Sequence, residues 1–451
     1  MELSAIDAID DYRYGRLRAA REKLIGNDAI DARLLYVALH TRLQDLSTMD
    51  HAIAVATELQ ASVVGVEDRI QAGIYLSFIL ARTGDVSRAA QCIERTKALT
   101  SYLVSPPATL DSELLLAEAM ILFMQDRVDE SERLAWDAVY ADLELGCRLP
   151  PSRPALASIE ATKARALLLL GIIRGTQERY HEQYRLFREA MVQLRRSPTP
   201  DVYLTASLQA NRSYHARDLG MLGEIVELEL VSHHEWPDDL TELRLEIARS
   251  LSYLYALRGD DELALHGFRK AAEYTQSDVN RLMLISDEAY VSRQLARPIV
   301  LRAKLIESCA LVESVDWSSV NTERFALHAF AQELAYVDPR RAAAYIEVFL
   351  QVGPKANPTN MIDRRDEADV LFSRGLVAVR NGRREEGRDA LAAAHEIWVD
   401  IGFRWHATAA AIELAELTGT IGFAGYAVRE ARQYPDSWLA RRVDELAAEA
   451  S

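Results

Sequence analysis

RSLSYLYALRGDDELALHGFRKAAEY, residues 249–274, is the stretch on which the fold turns. Gly259 is followed by Ala264 at +5, Phe268 at +9 and Ala271 at +12, with Leu251 eight residues before it. This is the arithmetic of two short antiparallel helices meeting at a tight turn. Glycine tolerates the backbone angles such a turn needs. Just past the turn, a small residue lets the helices approach, and a large one four residues on fills the space on the same face.

The same ladder recurs as Gly84, Ala89 and Ile93 with Leu76 upstream, as Gly382, Gly387, Leu391 and Ala394, and as Gly419, Ala424, Val428 and Ala431. In LLGIIRGTQERYHEQYRLFREA (169–190), Leu170-Gly171 precedes Tyr180, Phe187 and Ala190. Looser copies start at Gly15 (Ala20, Leu24), Ser47 (Ala52, Ala56, Leu59), Asp126 (Ser131, Ala135, Ala138) and Met221 (Val226, Leu230). Two more start at Arg297 (Arg302, Ile306, Cys309) and Val337 (Ala342, Ile346, Phe349). With Glu178 as the turn of the Leu170 copy, eleven turns fall 32 to 52 residues apart.

These residues resemble the tetratricopeptide repeat family, whose usual period is about 34 residues. HEIWVDIGFRWHATAAAIELAELTG (395–419) is also similar to repeat regions of bacterial regulatory proteins. The resemblance implies an all-α solenoid of about eleven hairpins over residues 1–435. A capping helix over 436–451 follows, N-capped by Asp436 or Ser437 and laying Trp438, Leu439, Val443 and Leu446 on the last hairpin. Prolines agree, because they break helix interiors and collect between units: Pro106 and Pro107, Pro150, Pro151 and Pro154, Pro354 and Pro358. The breaks near 106 and 150 read equally as hinges or as longer loops. No stretch alternates long enough for a strand.

Composition narrows the function classes. The 451 residues carry 52 Lys or Arg against 68 Asp or Glu, a formal charge of −16. That balance opposes a general phosphate-binding surface, so no direct nucleic-acid contact is expected. Three separated cysteines (92, 147, 309) suit a reducing cytoplasm and neither a disulfide framework nor a zinc module. The acidic N-terminal stretch is unlike a signal peptide, and the apolar run at 166–173 is far below the ~20 residues of a membrane span.

No phosphate loop, dinucleotide fingerprint or GxSxG elbow occurs, so no enzyme and no cofactor or metal is expected. The cluster His233, His234, Glu235 and Trp236 has adjacent histidines, which point about 100° apart on a helix and do not share one ion. It reads as a solvated helix end. Mixed-charge runs such as 364–369 read as solvated faces with ion pairs at helical spacing.

In the family the first helix of each hairpin lines the inner groove. Carried over copy by copy, that geometry offers Ile74, Phe78 and Arg82, then Arg165, Leu168 and Ile172. Arg249 and Tyr253 follow, then Phe372, Leu376 and Arg380. Large apolar groups beside lone arginines suit a protein or peptide partner with an apolar anchor and negative charge, since Arg grips carboxylates bidentately. The family's Lys/Asn clamp for C-terminal carboxylates is not matched at these places. The residues predict a non-enzymatic cytoplasmic scaffold that binds a peptide or protein in a bacterial regulatory pathway. A peptide-pheromone sensor, the sensor part of a transcriptional regulator, and an enzyme with its site inside the solenoid remain open beside it, as does homo-oligomerisation.

Overall fold

The computed structural model describes residues 3–43, 48–62, 65–103, 108–141, 158–232, 234, 236–294, 298–317, 325–352, 364–419 and 421–449. Among them 23 α-helices form and no strand does. The Pro-rich breaks near 106 and 150, Pro354, Pro358, Cys147, His233, Glu235 and the turn residues Ser47 and Arg297 lie outside the described residues.

The turns explain the pairing. At Gly259 the backbone has φ +97°, Gly259 N donates to Ala256 O at 3.2 Å, and Asp260 N donates to Tyr255 O at 2.9 Å. This left-handed cap satisfies carbonyls left open at the helix end. A Cβ at Gly259 would also lie 2.4 Å from Asp436 O, so glycine is needed twice over there. The same pair of hydrogen bonds closes the turns at Gly15, Gly84, Asp126, Glu178, Gly220 and Gly382. Asp126 and Glu178 adopt positive φ without being glycine.

Contacts divide the chain into two compact units. The first, residues 1–209 and 236–240, holds α1 (Leu3–Arg13), α2 (Leu17–Leu24), α3 (Ile30–His40), α4 (Met49–Ala61) and α5 (Val66–Arg82). It continues with α6 (Val86–Thr100), α7 (Ala108–Met124), α8 (Val128–Tyr140), α9 (Ile159–Thr176), α10 (Tyr180–Arg195) and the start of α11 (Val202–Asp218). The second, residues 210–235 and 241–451, holds the rest of α11, then α12 (Ile225–Ser232), α13 (Thr241–Arg258), α14 (Asp261–Ala271), α15 (Asp278–Gln294) and α16 (Pro298–Ser314). It ends with α17 (Phe325–Leu334), α18 (Pro339–Val352), α19 (Arg364–Arg380), α20 (Arg384–Ile401), α21 (Arg404–Thr418), α22 (Ile421–Ala431) and α23 (Trp438–Glu449).

The ladder residues sit at the hairpin interfaces: Ala264 and Ala271 are fully buried and Phe268 is 1% exposed. Three copies depart from the sequence reading. Val226 and Leu230 face solvent while Ile225 and Leu228 are buried, because the positive-φ turn residue is Gly220 and not Met221. A shift of one residue rotates a helix face by about 100°. Ile306 is likewise exposed beside buried Leu305, and Val428 beside buried Ala427.

The terminal helix α23 is capped by Ser437, whose hydroxyl accepts from Ala440 N at 3.3 Å. It buries Trp438, Leu439 and Val443 and packs against α21, α22 and also α13. The last helix of the second unit therefore meets one of its first. No described helix is long and apolar enough to cross a membrane.

Candidate functional site

First and second helices of a hairpin are buried differently. In α14 one stripe is buried: Ala264, Leu265, Phe268 and Ala271. In α13 buried residues surround most of the helix, from Leu245 and Ile247 through Ser250, Leu251, Ser252 and Leu254 to Leu257. A helix packed between neighbours on both sides keeps only a narrow free stripe. In α13 that stripe is Glu242, Glu246, Arg249 and Tyr253, spaced three or four residues apart.

Matching stripes of α11, α15, α17, α19 and α21, joined by Trp398 of α20, enclose a cavity of about 560 Å³ within the second unit. Arg249, Tyr253 and Phe372 line it. Its lining holds seven carboxyl groups (Asp218, Glu242, Glu246, Asp287, Glu333, Asp366, Asp369) and three arginines (Arg217, Arg249, Arg365).

Each of these arginines is already engaged. Arg249 forks onto Asp287 through Nε and a second nitrogen at 3.1 Å, and Tyr253 donates its hydroxyl to the same carboxylate at 2.6 Å. Burial alone would push the Arg249 pKa down, but the carboxylates of Asp287 and Glu246 outweigh it and hold the guanidinium charged. Arg217 pairs with Asp218 at 2.9 Å and Glu246 at 3.2 Å. Arg365 pairs with Asp366 at 2.7 Å and Asp218 at 3.4 Å.

Asp369 is left over. No hydrogen bond to its carboxyl occurs among the described residues. Burial pushes its pKa up to about 8, with Arg365 pulling the other way and Asp366 and Asp218 adding to the rise. Burial also depresses His328 to about 4 and holds His406 well below the usual histidine range. The rings of Trp405 and His406 lie 3.6 Å apart and tilted by 32°, and Trp398 stands 5.2 Å from Phe372. The indole nitrogen of Trp398 and Nε2 of His406 are buried with no hydrogen-bond partner among the described residues.

A second pocket of about 270 Å³ shares Tyr290, Phe372 and Ala409 with the first, and Arg380 lines it. Leu376 is 1% exposed and lines neither.

The other sequence-predicted positions lie in the first unit. Arg165 joins a buried network there: Arg42 binds Asp201 bidentately at 2.6 and 2.9 Å, and Arg165 lies 3.4 Å from Asp201 and 3.9 Å from Glu113. Burial would raise the Asp201 pKa, but the two arginines bring it below the usual range. Ile74 is fully buried, Phe78 and Leu168 are half-buried against the core, and Ile172 is exposed. Arg82 is exposed and donates to Thr41 O.

The wall carboxylates were missed by sequence reading, although a signal existed. Their partners lie about one repeat away: Arg249 and Asp287 are 38 residues apart, Arg293 and Glu333 40, Glu242 and Asn280 38. Among the described residues no group of three or more His, Cys, Asp or Glu is placed to hold a metal ion.

Fold and cavity together define a helical-repeat protein with a polar-aromatic cavity in its second unit. No protein-family model matches the chain, and no curated protein matches it in sequence. Among solved structures it is similar to the apo quorum sensor NprR from B. thuringiensis, with a TM-score of 0.48 and 10% identity over 86% of this chain and 98% of that one. NprR in complex with its cognate peptide NprX gives 0.45 and 12% over 93% and 100%, and a Rap protein complexed with competence and sporulation factor gives 0.45 and 11% over 92% and 99%. Each TM-score is below 0.5, and the chemistry of the cavity stands on this chain's own residues.

Proposed function

We propose that the second unit is a non-catalytic receptor for a short peptide, serving a bacterial regulatory pathway, and that the peptide enters the 560 Å³ cavity with a cationic group foremost. The observation that carries this is the charge ledger of the wall: seven carboxyl groups to three arginines, every arginine paired and Asp369 unpaired. The volume falls in the range of sites that enclose small ligands. The aromatic groups Tyr253, Phe372 and Trp405 supply contact area for an apolar neighbour of the cation.

This reverses the acidic partner expected from the sequence. Arg249 looked free in the sequence, but Asp287 occupies its fork, so an incoming carboxylate would meet a wall of net negative charge.

A catalytic reading would use the histidines and Ser373. The Ser373 hydroxyl is fully buried, bonds to Asp369 O and Gln332, and shares a hydrogen bond with His328 Nδ1 at 2.9 Å. A nucleophile so enclosed has no path to a substrate in the cavity.

The test is a titration of the full chain with three pools of random pentapeptides: Lys/Arg-bearing, Asp/Glu-bearing and uncharged. Isothermal calorimetry gives the affinity, and the fluorescence of Trp398 and Trp405 reports occupancy. The cationic pool should bind saturably and Asp366→Asn should weaken it. Binding of no pool, or preference for the acidic one, would overturn the proposal.

A further inference from the structure

The second pocket has a chemistry of its own. Its wall combines Phe372, Ala409, Ile412 and Trp438 with three arginines, Arg293, Arg380 and Arg442. Arg293 is committed to Glu333 through two bonds at 3.0 and 3.2 Å. Arg442 is committed to Glu416 at 2.7 Å and to Glu445 at 2.5 Å. Arg380 has only one long ion pair. Its nearest carboxylate oxygen, on Glu413, is 4.0 Å away, beyond hydrogen-bond reach, and its guanidinium forms no hydrogen bond among the described residues. Glu413 instead receives the Tyr336 hydroxyl at 3.0 Å.

The Arg380 fork is nonetheless held in place. It lies 4.3 Å from the centre of the Tyr336 ring, which also carries Arg293 at 4.0 Å. A guanidinium fixed over an aromatic face loses less freedom when it forms hydrogen bonds, and its planar donors match a carboxylate bidentately. The pocket shares the wall residues Tyr290, Phe372 and Ala409 with the larger cavity.

Resting on the receptor reading above, we propose that this second pocket is a carboxylate subsite in which Arg380 receives the C-terminal carboxylate of the bound peptide, fixing the peptide's direction with its cationic part in the larger cavity. A single guanidinium with only one long ion pair, beside Glu413, Glu416 and Glu445, suits a monoanion; a phosphate dianion would meet three nearby carboxyl groups. Burial raises the Glu413 pKa, while Arg293, Arg380 and the Tyr336 hydroxyl pull it the other way.

The experiment uses the full chain and one equimolar pool of Lys- and Arg-bearing pentapeptides, made once with free C-terminal carboxyl groups and once as C-terminal amides. The free acids should bind tighter by roughly tenfold or more, the effect of one charge-assisted contact. Arg380→Gln should reduce the acids to the affinity of the amides and leave the amides unchanged. Arg380→Lys should restore part of the difference. Because Arg380 is exposed, the variants should melt as the parent does. Equal binding of acids and amides by the parent would overturn the subsite and leave the receptor reading standing. Failure of both pools would overturn both. Competition by inorganic phosphate without any preference for free acids would assign the pocket to phosphate and refute the carboxylate.

Discussion

Asp369→Asn removes the carboxyl that the cavity wall leaves unpaired while keeping its size and shape. In the folded protein burial lifts this carboxyl to about 8, whereas an unfolded aspartate titrates near 3.8. The folded state therefore binds the extra proton between those values. The Asp369 contribution is full below about pH 4 and is lost as pH rises through about 8. Within that window the loss runs at about 1.4 kcal/mol per pH unit. From pH 5 to 7.5 it accumulates to ~3 kcal/mol, less wherever solvent in the cavity screens the charge. Asparagine does not titrate, so the variant should gain on the parent steadily over the same range. His328 and His406 titrate in both proteins and cancel in the difference.

Thermal unfolding at half-unit pH steps measures this directly. Four of the six tryptophans (317, 398, 405, 438) belong to the second unit, so their fluorescence follows the unit that holds Asp369. At roughly 2–4 °C per kcal/mol for a unit of this size, the melting difference should widen by several degrees toward neutral pH. A difference that does not change with pH, or a variant that falls behind as pH rises, would mean that Asp369 is ionised and stabilised by Arg365, and the charge ledger of the cavity would have to be redrawn.

Ala264→Asp should bury an unpaired charge at the α13–α14 interface and cost on the order of 3 kcal/mol or more, read from the melting temperature; no change would misplace the repeat register. Arg249→Glu should be destabilising by about 3–5 kcal/mol, because it sets a third carboxylate against Asp287 and Glu246, and a variant that melts like the parent would show Arg249 to be solvated. In the first unit, Asp201→Ala should lower the melting temperature by a similar energy, since it strands Arg42 and Arg165; circular dichroism during heating reads it. Purified protein should give no duplex-DNA gel shift at physiological salt, given a formal charge of −16, and a salt-sensitive shift would reveal a basic surface.

The hairpins were legible because a turn is a local object. Gly84, Gly259 and Gly382 stand where a left-handed cap must form, and the small and large residues that follow them are fixed by one helix's own geometry. Register was less legible where the turn residue was misplaced by one, as at Gly220, since nothing local distinguishes Ile225 and Leu228 from Val226 and Leu230. A small part of the cavity wall was within reach for the same reason: Arg249, Tyr253 and Phe372 follow from assigning first helices to the inside. Its carboxylates were not. They are seven among 68 acids, and what selects Asp287 or Glu333 is an arginine one repeat away, across a period that varies from 32 to 52 residues.

That dependence also changes what an arginine in such a sequence signifies. A first helix packed on both sides presents its free stripe to a partly enclosed space, where an uncompensated charge is costly. The neighbouring first helix supplies the compensation, as Asp287 does for Arg249, Glu333 for Arg293 and Asp201 for Arg165. Arginines in the stripe are therefore consumed by the wall before any ligand arrives, and their abundance is a poor guide to ligand charge. The informative groups are those the wall fails to match. In the second unit these include Asp369 in the larger cavity, which burial keeps protonated until a cation pairs with it, and Arg380 in the smaller one. A ligand that completes both pairings must itself carry both charges, which a short peptide with a basic side chain and a free C-terminus does.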